Sequence, residues 1–477
     1  MSGQESTSTF GRPLLRQNVW ATRFGFYLAA ISSALGLGNL WRFPFVTTEN
    51  GGGAFVFLYF GVAIAIGLPI LIGELMIGKL TRRGAVAAFR RLESDEDLSE
   101  GHRPGTFRAG PLAAFGCLLI VSYYAVVSGW VLHFLMQFAF GNFGPLGQAS
   151  GHDVDLTLRL LQENGGMQFG LASVHIVIAL VVVARGVQGG IERWASWMTP
   201  IFVLLMAVLV MKSLSSGQTV EALRFQFYPD FSRLNWNALQ QAIGHVFFTL
   251  SIGLGTMVTF GSYLKSETHI PSAGFRVTVL DLVISAVAGL LVFPVSLGLS
   301  ASGGPELLFR SLPRLLQDLQ SGWFVGVSFF VCLYLGALAA SIGLFESLVA
   351  NIIEVFRLDR DRAVWLTGLV AVAFAAVPAL SGSSLSHVSV AGRSVLEIWD
   401  SLAVNWLLPM SGLAFCLAVT RQLKASAATA EFQSDDSPIT QSLYAHWRFA
   451  IVWIGPIVIG LGFLLTLIGW LLKSFGG

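Results

Sequence analysis

The run SSALGLGNLWRFP, residues 32–44, interrupts the first long apolar segment of the chain. It carries two glycines, an asparagine, an arginine and a proline, which a helix crossing lipid should avoid. Unpaired backbone groups at membrane depth are costly, so such a break persists only where the freed groups face a cavity or bind a ligand. The run is therefore either a packing irregularity or a binding site, and the rest of the sequence decides between them.

The composition is that of a membrane protein. Of the 477 residues, 54% are hydrophobic and 12% are charged, whereas soluble domains carry about 25% charged residues. We therefore expect a lipid bilayer around the chain. The net charge is only +2, which gives no reason to expect a nucleic-acid partner. The sequence does not predict an oligomeric state.

Apolar runs long enough to cross about 30 Å of hydrocarbon predict an all-α polytopic protein with about eleven transmembrane helices. The runs lie at 22–46, 55–80, 111–140, 169–185, 194–211, 239–264, 277–299, 324–356, 363–380, 404–419 and 449–472. Basic residues cluster before the first run and after the second and eighth, which places these loops on the cytoplasmic side. We therefore expect a multi-pass protein of the inner (plasma) membrane, with a cytoplasmic N-terminal tail at residues 1–19 and the C-terminus outside.

A second interruption occurs in the sixth run, where Gly253-Leu254-Gly255 matches Gly36-Leu37-Gly38 of the first run. An odd number of spans separates the two breaks, so the second copy would be inserted upside down. Interrupted segments at corresponding places in two halves indicate a transporter built from inverted repeats. We expect a transporter core at 20–421, with repeats at about 22–215 and 239–421, and a linker with an additional eleventh helix at 422–477.

Two unwound helices that face each other expose amide donors and carbonyl acceptors. The donors suit a carboxylate, whereas the carbonyls suit an ammonium group and a sodium ion. Asn39, Thr249 and Asp281 add side-chain oxygens, which fit a hard alkali ion better than a transition metal. This set of groups predicts a site for a zwitterionic amino acid and a cation.

Several motifs resemble the signature of the neurotransmitter:sodium symporters. They are WATR at 20–23, GLGNLWRFP at 36–44, ENGGGAF at 49–55, YY at 123–124 and FFTLS at 247–251. The match runs in order from residue 20 to the tenth span. The resemblance implies a bacterial amino-acid transporter of the LeuT type. Its fold would be the five-plus-five inverted repeat (LeuT fold) with discontinuous first and sixth helices, and its activity would be sodium-coupled symport by alternating access, with at least one Na+ as cofactor.

The resemblance also implies the residues of a substrate site and of a first sodium site. The substrate carboxylate would contact the Leu37 and Gly38 amides and the Tyr124 hydroxyl. The ammonium group would lie in the region of Ala34, Phe248, Thr249 and Ser251. The substrate side chain would contact Ile120, Phe248, Leu254, Ser341 and Leu344. The sodium ligands would be the Ala34 carbonyl, Asn39, Thr249 and Asp281.

Gly36 narrows the class of substrate. In monoamine members of the family the matching residue is an aspartate that pairs with the amine, and glycine leaves space for the substrate's own carboxylate. A charged substrate side chain would lack a partner in the apolar lining. We therefore predict a hydrophobic amino acid, and the choice between aliphatic and aromatic substrates stays open.

The first sodium site departs from the family's chloride-dependent members, which use Tyr, Gln, Thr, Asn and Ser there. The set here is Tyr59, His245, Thr249, Asp281 and Ser285. The carboxylate of Asp281 supplies the negative charge that chloride would bring, so we predict chloride independence. Asp281 is also a candidate for protonation when the cation leaves, and proton-linked coupling is a further hypothesis.

The second sodium site also departs from the family. Members usually place hydroxyls where Ala339 and Ala340 stand, and only carbonyls at about Ser32, Leu35 and Gly336 remain. Either this site is weak or missing, or another group takes its place. The sequence leaves open whether one or two sodium ions are coupled to transport.

The predicted gates rest on charged residues. Arg42 is costly in lipid and needs an acidic partner, and Asp400 matches the family's outer-gate aspartate, with Phe248 as the gate's aromatic member. On the cytoplasmic side we expect Arg16 to close against Glu354.

Two other functions fit parts of the sequence. The serines and histidine of residues 381–387 suggest a hydrolase, but they lack a Gly-x-Ser-x-Gly elbow, so we do not expect an enzyme. An amino-acid sensor with the same fold is the other alternative, and the alanines at the second sodium site favour it.

Overall fold

The computed structural model describes residues 19–34, 36–94, 98, 108–143, 153–215, 217–296, 307–318, 322–390, 392–433 and 438–475. Its principal helices are α1 (Arg23–Ala34), α2 (Gly38–Glu49), α3 (Gly53–Thr81), α4 (Ala85–Ser94), α5 (Ala109–Ala139), α6 (Val154–Glu163), α7 (Gly165–Ala184), α8 (Val187–Leu214), α9 (Thr219–Phe227), α10 (Trp236–Thr249), α11 (Thr256–Ser262), α12 (Ile270–Ser296), α13 (Leu312–Asp318), α14 (Gly322–Phe356), α15 (Arg360–Ala379), α16 (Val395–Gln422), α17 (Ala425–Gln433), α18 (Pro438–Phe449) and α19 (Gly455–Phe475).

Within the described ranges, nine helical stretches are long and apolar enough to cross a membrane. A tenth span is the pair α1 and α2, which are bent by 43° at the predicted break. The predicted sixth span is formed by α10 and α11, each too short to cross alone. The broken first and sixth helices therefore lie where the glycine patterns predicted them.

The break between α10 and α11 depends on residues that tolerate left-handed backbone. Ser251, Gly253 and Gly255 have φ angles of +53°, +77° and +71°. A β-carbon added at Gly255 would lie 2.4 Å from the β-carbon of Ala85, so this position also needs glycine for space. The unwound segment is thus stabilised by glycine's lack of a side chain, while Ser251 adopts a conformation that few non-glycine residues adopt.

Two long helices, α5 and α14, pack against each other beside the breaks. Phe134 and Phe138 of α5 lie against Phe330 of α14, with ring centroids 5.6 and 5.5 Å apart. The short helix α11 packs against α3. A β-carbon at Gly78 would lie 2.0 Å from the carbonyl oxygen of Val258, so these two helices meet backbone to backbone. The two broken helices are therefore held between well-packed neighbours.

The segment predicted as a linker after the tenth span contains the short helix α17. Its Glu431 carboxylate lies 2.6 Å from the ammonium nitrogen of Lys79, at the end of α3. The same ammonium group donates to the carbonyl of Thr268, at 2.9 Å. This linker is therefore attached to the core of the protein.

Candidate functional site

A cavity with an empty volume of about 310 Å³ lies at the two helix breaks, between α5 and α14. Its lining comprises Ser33, Ala34, Gly36, Gly38, Ile120, Tyr124, Phe248, Thr249, Ser251, Leu254, Ala340 and Leu344. Nine of the eleven residues predicted to bind substrate are in this set, and Leu37 and Ser341 are not. The sequence-based prediction and the geometry therefore point to the same place.

Leu37 lies next to the cavity wall. Its amide donates a hydrogen bond to the Tyr124 hydroxyl, with 3.0 Å between the heavy atoms. Both groups had been predicted to hold a carboxylate, and the structure brings them together at the break after α1. The Ser33 and Ser251 hydroxyls are 3.3 Å apart on the neighbouring wall.

Ser341 faces away from this cavity. It is 2% exposed, and its hydroxyl lies 2.8 Å from the imidazole Nε2 of His175 on α7. One residue along an α-helix rotates a side chain by about 100°, so Ala340 lines the cavity while Ser341 turns to the neighbouring helix. The prediction that Ser341 contacts the substrate is not supported by this placement.

The side chains predicted for the first sodium site form a buried cluster. The Asn39 amide nitrogen donates to the Ala34 carbonyl at 3.1 Å and to the Asp281 carboxylate at 3.0 Å. The Thr249 hydroxyl donates to the other carboxylate oxygen of Asp281 at 3.1 Å. The carbonyl oxygen of Asn39 is buried and has no hydrogen-bond partner within the described residues. A buried oxygen without a partner beside a carboxylate fits a hard cation.

Tyr59 joins this cluster from α3. Its hydroxyl donates to Asp281 at 2.8 Å and lies 3.1 Å from the Ser285 hydroxyl and 3.3 Å from that of Thr249. The Asp281 carboxylate thus accepts from three side chains and is 1% exposed. Three donors around one carboxylate match the acceptor-only, ionised form of aspartate.

His245 lies beside this cluster rather than in it. Its ring centroid is 5.0 Å from that of Tyr59 and 5.9 Å from that of Phe43. The side chain is fully buried, and neither ring nitrogen has a hydrogen-bond partner within the described residues. The residue that stands at the family's glutamine position is thus packed between two aromatic rings.

Arg42 and Asp400, the residues predicted to form an outer gate, make an ion pair. Arg42 donates from one guanidinium nitrogen to both carboxylate oxygens of Asp400, at 2.8 and 3.0 Å. The Arg42 guanidinium carbon lies 5.8 Å from the centre of the Phe248 ring, within the range of a cation–π interaction. The pairing of Arg42 with Asp400 is therefore present as predicted, with Phe248 between it and the cavity.

The predicted pair of Arg16 with Glu354 stays a prediction, because Arg16 lies outside the described residues. Within the described residues, Glu354 interacts with the segment after α3. One of its carboxylate oxygens is 3.8 Å from the Arg83 guanidinium, and the other accepts the Gly84 amide at 2.8 Å. Trp20 donates a hydrogen bond from its indole nitrogen to the Phe260 carbonyl, at 3.1 Å.

A buried ion pair between Glu346 and Arg360 had not been predicted from the sequence. Glu346 of α14 is fully buried and forms an ion pair with Arg360. One guanidinium nitrogen of Arg360 lies 3.3 Å from a carboxylate oxygen of Glu346. The Tyr263 hydroxyl donates to the same carboxylate at 2.7 Å. The available signal was a glutamate within the apolar run of a 35-residue helix, followed fourteen residues later by an arginine.

The sodium:neurotransmitter symporter family matches residues 16–145 and 152–474. An uncharacterised sodium-dependent transporter of Bacillus subtilis, YhdH, is 32% identical over 452 residues, with 94% of this chain and 97% of that protein covered. The human sodium- and chloride-dependent GABA transporter 2 is 25% identical over 443 residues, covering 82% of this chain and 70% of that protein.

Among solved structures, MhsT in complex with L-phenylalanine matches with a TM-score of 0.84 and 34% identity. The match covers 94% of this chain and 99% of that one. This likeness confirms the predicted LeuT-type fold, and the family relationship confirms a transporter rather than an enzyme. The chain belongs to the sodium:neurotransmitter symporter family.

Proposed function

We propose that this protein is a sodium-coupled symporter of hydrophobic amino acids that works by alternating access and does not require chloride. It would lie in the inner membrane with its N-terminus in the cytoplasm. The observation that carries the proposal is the buried cluster at the broken helices. There, the unpartnered Asn39 oxygen and the Asp281 carboxylate lie beside a cavity that is mostly apolar.

The ion would be held by the Ala34 carbonyl, Asn39, Thr249 and Asp281. A bound sodium ion supplies a positive charge next to the substrate carboxylate, and so makes binding of the two mutually favourable. The Leu37 amide and the Tyr124 hydroxyl are already in contact, and a carboxylate inserted there would accept hydrogen bonds from both. The amino acid's charged end would thus be satisfied at the breaks.

The rest of the cavity supports a hydrophobic side chain. Ile120, Phe248, Leu254 and Leu344 line it, and none of its described lining residues is charged. A charged substrate side chain would be buried without a partner, which is strongly unfavourable. The solved complex of the structural neighbour with L-phenylalanine agrees with a substrate of this class.

Chloride independence rests on Asp281. In this protein the hydroxyls of Tyr59 and Thr249 donate to a fixed carboxylate. A chloride ion would need the same donors and would repel that charge at close range. In the proposed sodium site, the negative charge therefore comes from an aspartate side chain and not from a bound chloride ion.

Reconstitution into proteoliposomes tests this function. With an inward sodium gradient and gluconate as the only anion, we expect accumulation of radiolabelled phenylalanine or leucine, and none with potassium in place of sodium. Lysine and glutamate should not accumulate. Saturable amino-acid binding without sodium-driven accumulation would instead favour the sensor, and an absolute requirement for chloride would contradict the role given to Asp281.

A further inference from the structure

A separate cavity lies where α1 faces α8 and α14, with an empty volume of about 240 Å³. It is the place at which the family resemblance would put a second sodium ion, between Ser32 and the α14 residues at 336–340. The cavity is lined by Ala29, Ser32, Ile191, Ala195, Met198, Phe260, Ala339, Ile342 and Gly343. Eight of these nine residues have no side-chain oxygen, and Ser32 supplies the one side-chain oxygen of the described lining.

Few oxygen atoms of the described side chains are available to bind a cation in this cavity. The Ser32 hydroxyl donates to the Ala29 carbonyl within its own helix, at 3.0 Å. Gly336 lies inside the uninterrupted helix α14, where a carbonyl accepts the amide four residues further along the chain. The Ser32 carbonyl lies in the last turn of α1 and has no such intrahelical partner. Leu35 lies outside the described residues. A dehydrated sodium ion needs a shell of oxygens in place of its water, and the described side chains of this wall supply a single hydroxyl.

The charges of the residues around this cavity also argue against a bound sodium ion. Among the described lining residues of this cavity there is no acidic side chain. The first site, by contrast, has the carboxylate of Asp281 and the unpartnered oxygen of Asn39. Burying a cation without a compensating negative group is strongly unfavourable. The methyl groups of Ala339 and Ala340, which are 8% and 7% exposed, stand where a second ion would need hydroxyl ligands.

From these contacts we infer that the cavity between α1 and α14 binds no sodium ion, and that this transporter couples a single sodium ion to each amino acid. The inference rests on the proposed function, because coupling presupposes sodium-driven symport. It has a thermodynamic consequence. A tenfold sodium gradient is worth about 1.4 kcal/mol per ion. At zero membrane voltage, one ion therefore limits accumulation to about tenfold, whereas two would allow about a hundredfold.

The first test counts ions and does not require transport. In gluconate medium, binding of ²²Na+ to purified protein in saturating phenylalanine should reach one ion per chain. At the same sodium concentration it should fall to a small fraction of that in Asp281→Asn. Two ions per chain, with one surviving in Asp281→Asn, would overturn the inference while leaving sodium-coupled symport intact. No bound sodium at all would overturn the proposed function itself. The two failures are thus distinguishable.

The second test builds the missing ligands. The double variant Ala339→Thr/Ala340→Ser adds one hydroxyl in the lining of this cavity and one at Ala340, which lines the amino-acid cavity. The control Ala337→Ser adds a hydroxyl on the same helix outside both linings. In voltage-clamped proteoliposomes with a tenfold sodium gradient, wild type and Ala337→Ser should accumulate phenylalanine about tenfold. The double variant should bind a second ²²Na+ and exceed that limit. Accumulation well above tenfold by the wild-type protein would refute single-ion coupling.

Discussion

Replacing Asp281 with asparagine should remove most of the protein's affinity for sodium. The carboxylate accepts from Asn39, Tyr59 and Thr249 and is the one charged side chain in the cluster that we assign to the first ion. Two unit charges 4 Å apart attract by about 4 kcal/mol at an effective dielectric constant of about 20. Asparagine keeps a carbonyl dipole, so we expect a loss of about 2–4 kcal/mol, or a roughly 30- to 1000-fold rise in half-saturating sodium.

The assay is initial-rate phenylalanine uptake into proteoliposomes, titrated with sodium gluconate and then with sodium chloride. In the variant, the Tyr59 and Thr249 hydroxyls lose their charged partner. Chloride is the anion that they could hold, together with the Ser285 hydroxyl that lies 3.1 Å from that of Tyr59. We therefore expect chloride to lower half-saturating sodium at least tenfold in Asp281→Asn and to leave wild type unchanged. Half-saturating sodium within threefold of wild type in gluconate would refute the assignment of Asp281 to the ion.

Two further substitutions test the wall of the cavity and the buried pair. In Gly36→Ala the new β-carbon would lie 2.7 Å from the Tyr124 hydroxyl, so we expect at least a tenfold increase in the KM for phenylalanine; an unchanged KM would contradict the proposed place of the carboxylate. Arg360→Gln leaves the Glu346 charge buried without its partner and should cost about 3–5 kcal/mol of stability, seen as a lower Tm in detergent. The control Arg362→Gln, whose side chain is 77% exposed, should leave Tm within one degree or so, and equal losses in both variants would show that burial of the pair does not matter.

The breaks and most of the cavity could be predicted from the sequence because their signals are local. Glycines at Gly36, Gly38, Gly253 and Gly255 are conspicuous within apolar runs, and polar side chains such as Asn39 are costly at membrane depth unless they bind something. These signals depend on residue type and spacing alone. The structure placed nine of the eleven predicted substrate contacts around one cavity.

What the sequence did not reveal depends on helix rotation and on distant neighbours. Ala340 and Ser341 are adjacent on α14 and therefore point in different directions. Ala340 lies in the cavity wall, whereas Ser341 contacts His175. Glu354 interacts with Arg83, 271 residues earlier in the chain, through a packing arrangement that no local pattern encodes. Register and long-range pairing follow from tertiary packing, which a single sequence specifies only indirectly.

The close approach of α3 and α11 has a consequence for how the transporter can move. Without side chains at Gly78 and Gly261, the two backbones touch: a β-carbon at Gly261 would lie 2.4 Å from the Leu75 carbonyl oxygen. Helices interlocked in this way cannot slide past each other without opening voids. They should therefore travel as one rigid body, and in the proposed alternating-access cycle the rotation between states would be absorbed by the unwound segment from Leu250 to Gly255. The strained Ser251 would then be the pivot of the transport cycle as well as a wall of its binding site.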